Sequence, residues 1–172
     1  MRKNTIFAIT FFLLSLVVLF SFHAGSPIPG GNKFHLPEPR EIDVNGVNFT
    51  ISWGFLEDSN STDNLTSDVI FNHDVTKGER TFHQNDILLL AITVYDFNDY
   101  DVTYDDLERL NDGSYVDKSI NGVDGIFKNE SVETHTGIVK NKHPRYYFNY
   151  IKNGSLVMIQ CDKLSTIDEI VK

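Results

Sequence analysis

Residues 6–22 are apolar at every position except Thr10, Ser15 and Ser21, and Arg2 and Lys3 stand just ahead of them. No polar stripe interrupts the run, so it has the pattern of a helix surrounded by hydrocarbon, not of one lying on a protein core. At about 1.5 Å of rise per residue it is roughly 26 Å long, against an apolar bilayer thickness of ~30 Å. Basic residues on its N-terminal side keep that side cytoplasmic and place the rest of the chain outside. A cleaved export signal begins the same way but needs small residues at its cut site and has a shorter apolar core. Phe22, His23 and Pro27 fall where cleavage would be hindered. The pattern therefore favours an uncleaved anchor, with secretion after cleavage as the alternative.

After the run the pattern changes twice. Residues 25–40 hold Pro27, Pro29, Pro37 and Pro39 with Gly30-Gly31, a composition that reads as a semi-extended tether. From residue 41 onward, short alternating segments are separated by turn residues. Asn45-Gly46, Asn121-Gly122 and Asn153-Gly154 each divide two such segments and predict hairpins. Short strands are expected at 68–71 and 80–83 with a turn at Lys77-Gly78 between them, and residues 55–66 read as an exposed loop. The most hydrophobic stretch after the anchor, 87–97, predicts a central strand covered on both faces. Thr103 with Asp106, and Ser165 with Asp168, have the spacing of capping boxes and predict helices behind them. The fold class is α+β, an antiparallel sheet built from hairpins with two or three short helices. Residues 1–24 form the anchor, 25–40 the tether and 41–172 one extracytoplasmic domain.

Charge narrows the function. All 24 acidic residues follow the apolar run while two of the 15 basic ones precede it, so the exported part is more acidic than the chain's −9. That balance excludes nucleic acid as a partner and argues against docking on an anionic lipid surface. One cysteine, Cys161, makes no internal disulfide; in its apolar strand it reads as a buried, inert thiol.

The segment with Asp96, Asp99, Asp101, Asp105 and Asp106 raises calcium. An EF-hand register from Asp99, however, puts Tyr104 where glycine belongs and Leu110 where the bidentate glutamate belongs, so capping is the better reading. His73 and His83 are the remaining metal-ligand pair to consider. No hydrolase, metalloprotease, NTPase or paired-cysteine signature occurs, so no catalytic residue, metal or cofactor is expected. Tyr146, Tyr147, Phe148 and Tyr150 offer a possible stacking surface for a sugar, against the alternative that they pack the sheet. N-x-Ser/Thr sequons at Asn48, Asn60, Asn64, Asn129 and Asn153 are glycosylation candidates on an exported chain.

Residues Gly46-Val47-Asn48-Phe49-Thr50-Ile51, Gly54-Phe55, Asn121-Gly122-Val123-Asp124-Gly125, and the last hairpin with its terminal helix together resemble extracytoplasmic domains of the PsbP/Mog1-like type. Among these the chain is most similar to small membrane-anchored proteins of methanogenic archaea. Ser52-Trp53 stands where such domains often carry proline. The resemblance implies an α-β-α layered accessory or interaction domain without catalytic residues. The functional expectation is a membrane-tethered surface domain, held by residues 6–22, that binds a protein or envelope component. A metal-dependent or carbohydrate-active protein with a dispersed site is the alternative.

Overall fold

Wherever asparagine precedes glycine between alternating runs, the chain turns back on itself. Asn45-Gly46, Asn121-Gly122 and Asn153-Gly154 take φ of 49° and 81°, 53° and 81°, and 55° and 82°. Paired positive φ is the type I′ geometry whose twist matches a hairpin. The computed structural model describes residues 36–59, 61, 65–84, 88–136 and 139–172. The expected membrane run 6–22 and the sequons at Asn60 and Asn64 lie outside the described residues.

The first Asn-Gly turn joins β1 (Arg40–Val44) to β2 (Val47–Ile51), a two-stranded sheet of its own. The main sheet holds β3 (Leu56–Glu57), β4 (Thr66–Ile70), β5 (His73–Gln84), β6 (Leu88–Phe97), β7 (Val116–Ile120), β8 (Val123–Thr136), β9 (Val139–Lys152) and β10 (Ser155–Cys161). Its order is β3-β5-β6-β10-β9-β8-β7, with β4 also paired to β5, and every pairing is antiparallel. Among the described residues two helices complete the domain, α1 (Tyr104–Leu110) and α2 (Leu164–Ile170). The class is α+β, as the pattern predicts.

Period-two alternation sorts the strand residues onto two faces. Leu90, Ile92 and Val94 of β6 join Val157, Ile159 and Cys161 of β10 in one buried cluster, covered by the β1–β2 hairpin and by Ile167 and Ile170 of α2. Phe97, Leu156, Ile126 and Val75 form a second cluster with Val102 and with Leu107 of α1. Gly125 shows how closely the first cluster packs: a Cβ there would stand 2.4 Å from the Asn149 carbonyl oxygen and 2.8 Å from the Phe148 ring.

Three expectations are corrected. Lys77-Gly78 is not a turn but lies inside β5. Gly78 is small because the Asn45 turn rests on it, and a Cβ would meet the Asn45 Cβ at 2.7 Å. The turn before β5 is Phe71-Asn72, with φ of 55° and 67°. Ser165 does not cap the last helix, whose N-cap is Lys163 with no side-chain hydrogen bond. Finally, the compact unit begins at Leu36, so the last residues of the expected tether belong to the domain. Pro37 accepts a backbone hydrogen bond from Gly54 (3.0 Å), and Arg40 opens β1.

The free edge of β4 is blunted. Asp68 Oδ1 accepts the Val69 N–H at 2.8 Å, so this donor is satisfied within its own strand.

Candidate interaction surfaces

The four aromatics of β9 do not make one surface. Phe148 and Tyr150 are 0% and 1% exposed and stack on each other inside the first cluster, with ring centroids 5.3 Å apart. They are core residues because β9 lies inside the sheet, between β8 and β10, with the hairpin and α2 over that face. Tyr146 packs half-buried beside Phe127, while Tyr147 points to the opposite face.

His73 and His83 sit at the two ends of β5. Ten residues of strand separate them by about 33 Å, too far to share an ion. His73 stacks on Tyr100 at 4.1 Å, with its Nδ1 3.8 Å from Asp99 Oδ1; His83 Nδ1 lies 2.9 Å from Asp58 Oδ1. Among the described residues no group of three or more histidine, cysteine or acidic side chains is placed to hold a metal. Cys161 is buried and donates to the Lys163 carbonyl, and burial pushes its thiol up to about 11.

The acidic segment closes on α1 as a capping box. Asp106 Oδ2 accepts the Thr103 N–H (2.9 Å), the Thr103 hydroxyl (2.8 Å) and the Tyr100 hydroxyl (2.7 Å), while Arg109 reaches Oδ1 at 3.2 Å. Burial alone would raise the Asp106 pKa, but these donors together outweigh it and hold the carboxyl at about 2. The site is filled by protein donors.

Sequence reasoning missed the length of β8 and β9. β7 pairs with β8 only through Phe127, and β10 pairs with β9 only from Tyr146 onward. Residues 130–136 and 139–145 therefore pair only with each other among the described residues and form a two-stranded arm. Seven residues of overhang give it a reach of about 23 Å. Its base is fastened on one face of the sheet. Tyr147 donates to Glu130 Oε1 at 2.6 Å, Lys128 lies 3.0 Å from Glu130 and 5.5 Å from the Tyr147 ring, and Arg145 Nε donates to Asp162 Oδ1 at 2.8 Å. Burial and the neighbouring Glu130 push Tyr147 up to about 12. His143 Nε2 stands 3.4 Å from Asp162 Oδ2. Further out, Lys142 pairs with Glu133 across the strands at 3.0 Å. Pro144, which has no N–H, and Lys140 and Lys142 keep the arm's edges from templating another strand.

A second feature lies where the chain comes into the domain. A groove of about 430 Å³ is lined by residues including Pro39, Trp53, Phe55, Gln84, Lys163 and Lys172. Gln84 Nε2 holds the Trp53 carbonyl at 3.0 Å, and Arg40 holds that of Phe55 at 3.1 Å. Glu169 of α2 accepts from the Ser52 hydroxyl. Of the sequon asparagines, Asn48, Asn129 and Asn153 are exposed.

The chain matches no family model, no curated protein and no solved structure.

Proposed function

We propose that the chain is a membrane-tethered extracytoplasmic domain, without enzymatic activity, that engages a protein or envelope component through the β8–β9 arm. The observation that carries this reading is the arm. A two-stranded ribbon lacking a third strand is marginal on its own and adds little to the core, yet this one is pinned at its base by the Tyr147–Glu130 and Arg145–Asp162 contacts. An element that is fastened but not buried serves reach. The apolar run at 6–22 and the proline-rich segment behind it supply the setting, and glycans at exposed sequons such as Asn48 and Asn129 belong to the same exported context. Membership of the PsbP/Mog1-like type is part of the proposal, supported by the short turn motifs that carry the resemblance.

The test is a photo-crosslinking residue in place of Asn141, on the arm, in the full chain in its native membrane. A discrete crosslinked partner is expected there and not with the probe in place of Asp112, near α1. Identical products from both positions, or none from the arm, overturn the reading. Protease added outside intact cells checks the topology separately, since protection of the domain contradicts an extracytoplasmic location.

A further inference from the structure

We infer that the Trp53 end of the domain docks on the lipid headgroup layer of the membrane. The inference rests on the proposed anchor and adds to it a definite face. The sheet has two distinguishable ends. At one, Gln84 of β5 faces Leu88 of β6, and Leu90 faces Cys161 of β10; at the other, Val75 faces Phe97. The β1–β2 hairpin points its tip towards the second end, where Asn45 Nδ2 donates to the carbonyls of Thr76 and Val94 at 2.7 and 3.4 Å. Its root, and with it the incoming segment Leu36–Pro39, therefore lies at the first.

At that first end three large apolar side chains meet solvent. Leu36, Trp53 and Leu56 are 53%, 55% and 50% exposed, and all three are large side chains. They are presented rigidly, because Gly54 N–H is bonded to Pro37, the Trp53 carbonyl to Gln84 and the Phe55 carbonyl to Arg40. An indole with one apolar and one polar edge has its preferred place at the membrane interface.

Chain length makes lipid the occupant within reach. Thirteen residues, 23–35, separate the end of the apolar run from Leu36. Fully extended they span at most ~45 Å, so this end cannot leave the vicinity of the bilayer, whereas the α1 end stands a sheet length further along the domain.

Charge does not select the lipid. Asp96, Asp99, Asp101, Asp105 and Asp112 crowd around β6 and α1 at the far end. The groove carries Lys163 and Lys172 together with Glu169, and Glu38 is exposed beside it. Docking at this end therefore rests on the apolar side chains and not on an anionic headgroup.

Trp53 is the only tryptophan in the chain, so its fluorescence reports this face alone. The experiment reconstitutes the full chain in vesicles of phosphatidylcholine, with and without phosphatidylglycerol and with and without shallowly brominated lipids. Docking predicts a blue-shifted Trp53 emission, protection from acrylamide and quenching by the brominated lipids in both lipid mixtures. Leu36→Ser with Leu56→Ser reduces the quenching in both. Flotation of the vesicles reports insertion independently. A chain that fails to float sinks the anchor reading and the inference together. A chain that floats while Trp53 stays open to acrylamide and untouched by brominated lipid overturns the inference and leaves the anchor standing. Trp53 shielded from acrylamide but untouched by brominated lipid means a protein covers this face, which also overturns it.

Discussion

Asp106 offers the sharpest numerical test of the domain's physical chemistry. Its carboxyl is 2% exposed and held at about pKa 2 against an ordinary value of 3.8. At about 1.4 kcal/mol per unit, that displacement is worth about 2 kcal/mol of folding stability. The folded pKa is the lower one, so the contribution is complete above the unfolded value of 3.8 and is lost as the pH falls through about 2. Asp106→Asn keeps the shape and removes the charge. Urea unfolding at pH 7 should therefore show the variant less stable by about 2 kcal/mol, with the gap to wild type closing almost entirely between about pH 4 and pH 2. Comparing the two proteins cancels the other 23 acidic residues, which titrate in both. A gap that stays constant from pH 7 to pH 2 refutes the assignment of the effect to this carboxylate's charge.

Three further outcomes are expected. Gly125→Ala should lower stability by about 1–3 kcal/mol, because its Cβ collides with backbone and with a core ring; an unchanged urea midpoint contradicts the packing described. At Phe71, φ of 55° penalises any side chain, so Phe71→Gly should be more stable than Phe71→Ala by about 1 kcal/mol, both having lost the ring contact with Phe97; equal stabilities remove the strain argument. Cys161, buried with its thiol pushed up to about 11, should react with a water-soluble disulfide reagent at neutral pH only as fast as the protein unfolds; rapid labelling of the folded protein contradicts its burial.

The turns were legible where the residue types themselves dictate the backbone. Asparagine followed by glycine admits positive φ at both positions, and all three such pairs make hairpins. Phe71-Asn72 adopts the same geometry without that signature, because the Phe71 ring is held against Phe97; contacts distant in sequence decide it. Gly78 illustrates the converse, a glycine required by the Asn45 turn pressing on a strand and not by a turn of its own. The arm was hidden for another reason. Alternation reveals a strand only when one face is buried, and residues 129–134 and 140–145 face solvent on most sides. The β9 aromatics were ambiguous because packing and stacking use the same side chains, and only their place between β8 and β10 separates Phe148 and Tyr150 from a surface. Capping at α1 was readable because every participant lies within ten residues, from Tyr100 to Arg109.

The strand order carries a consequence for how this domain is made. Among the described residues, β4, β5 and β6 form one meander and β7, β8, β9 and β10 another, each from hairpins between neighbours in the chain, while the short β3 skips β4 to pair with β5. Only the β6–β10 seam, where Leu90 faces Cys161 and Tyr95 faces Leu156, joins strands about sixty to seventy residues apart. Local hairpins close quickly and distant pairings slowly. For a chain delivered N-terminus first, the seam waits for the last strand, and β6, the most hydrophobic strand after the apolar run, stands with an open edge until β10 arrives. The interval before that closure is when the nascent protein is most exposed to sticking to its neighbours. Truncations within β10 should therefore yield aggregates and not a smaller folded sheet.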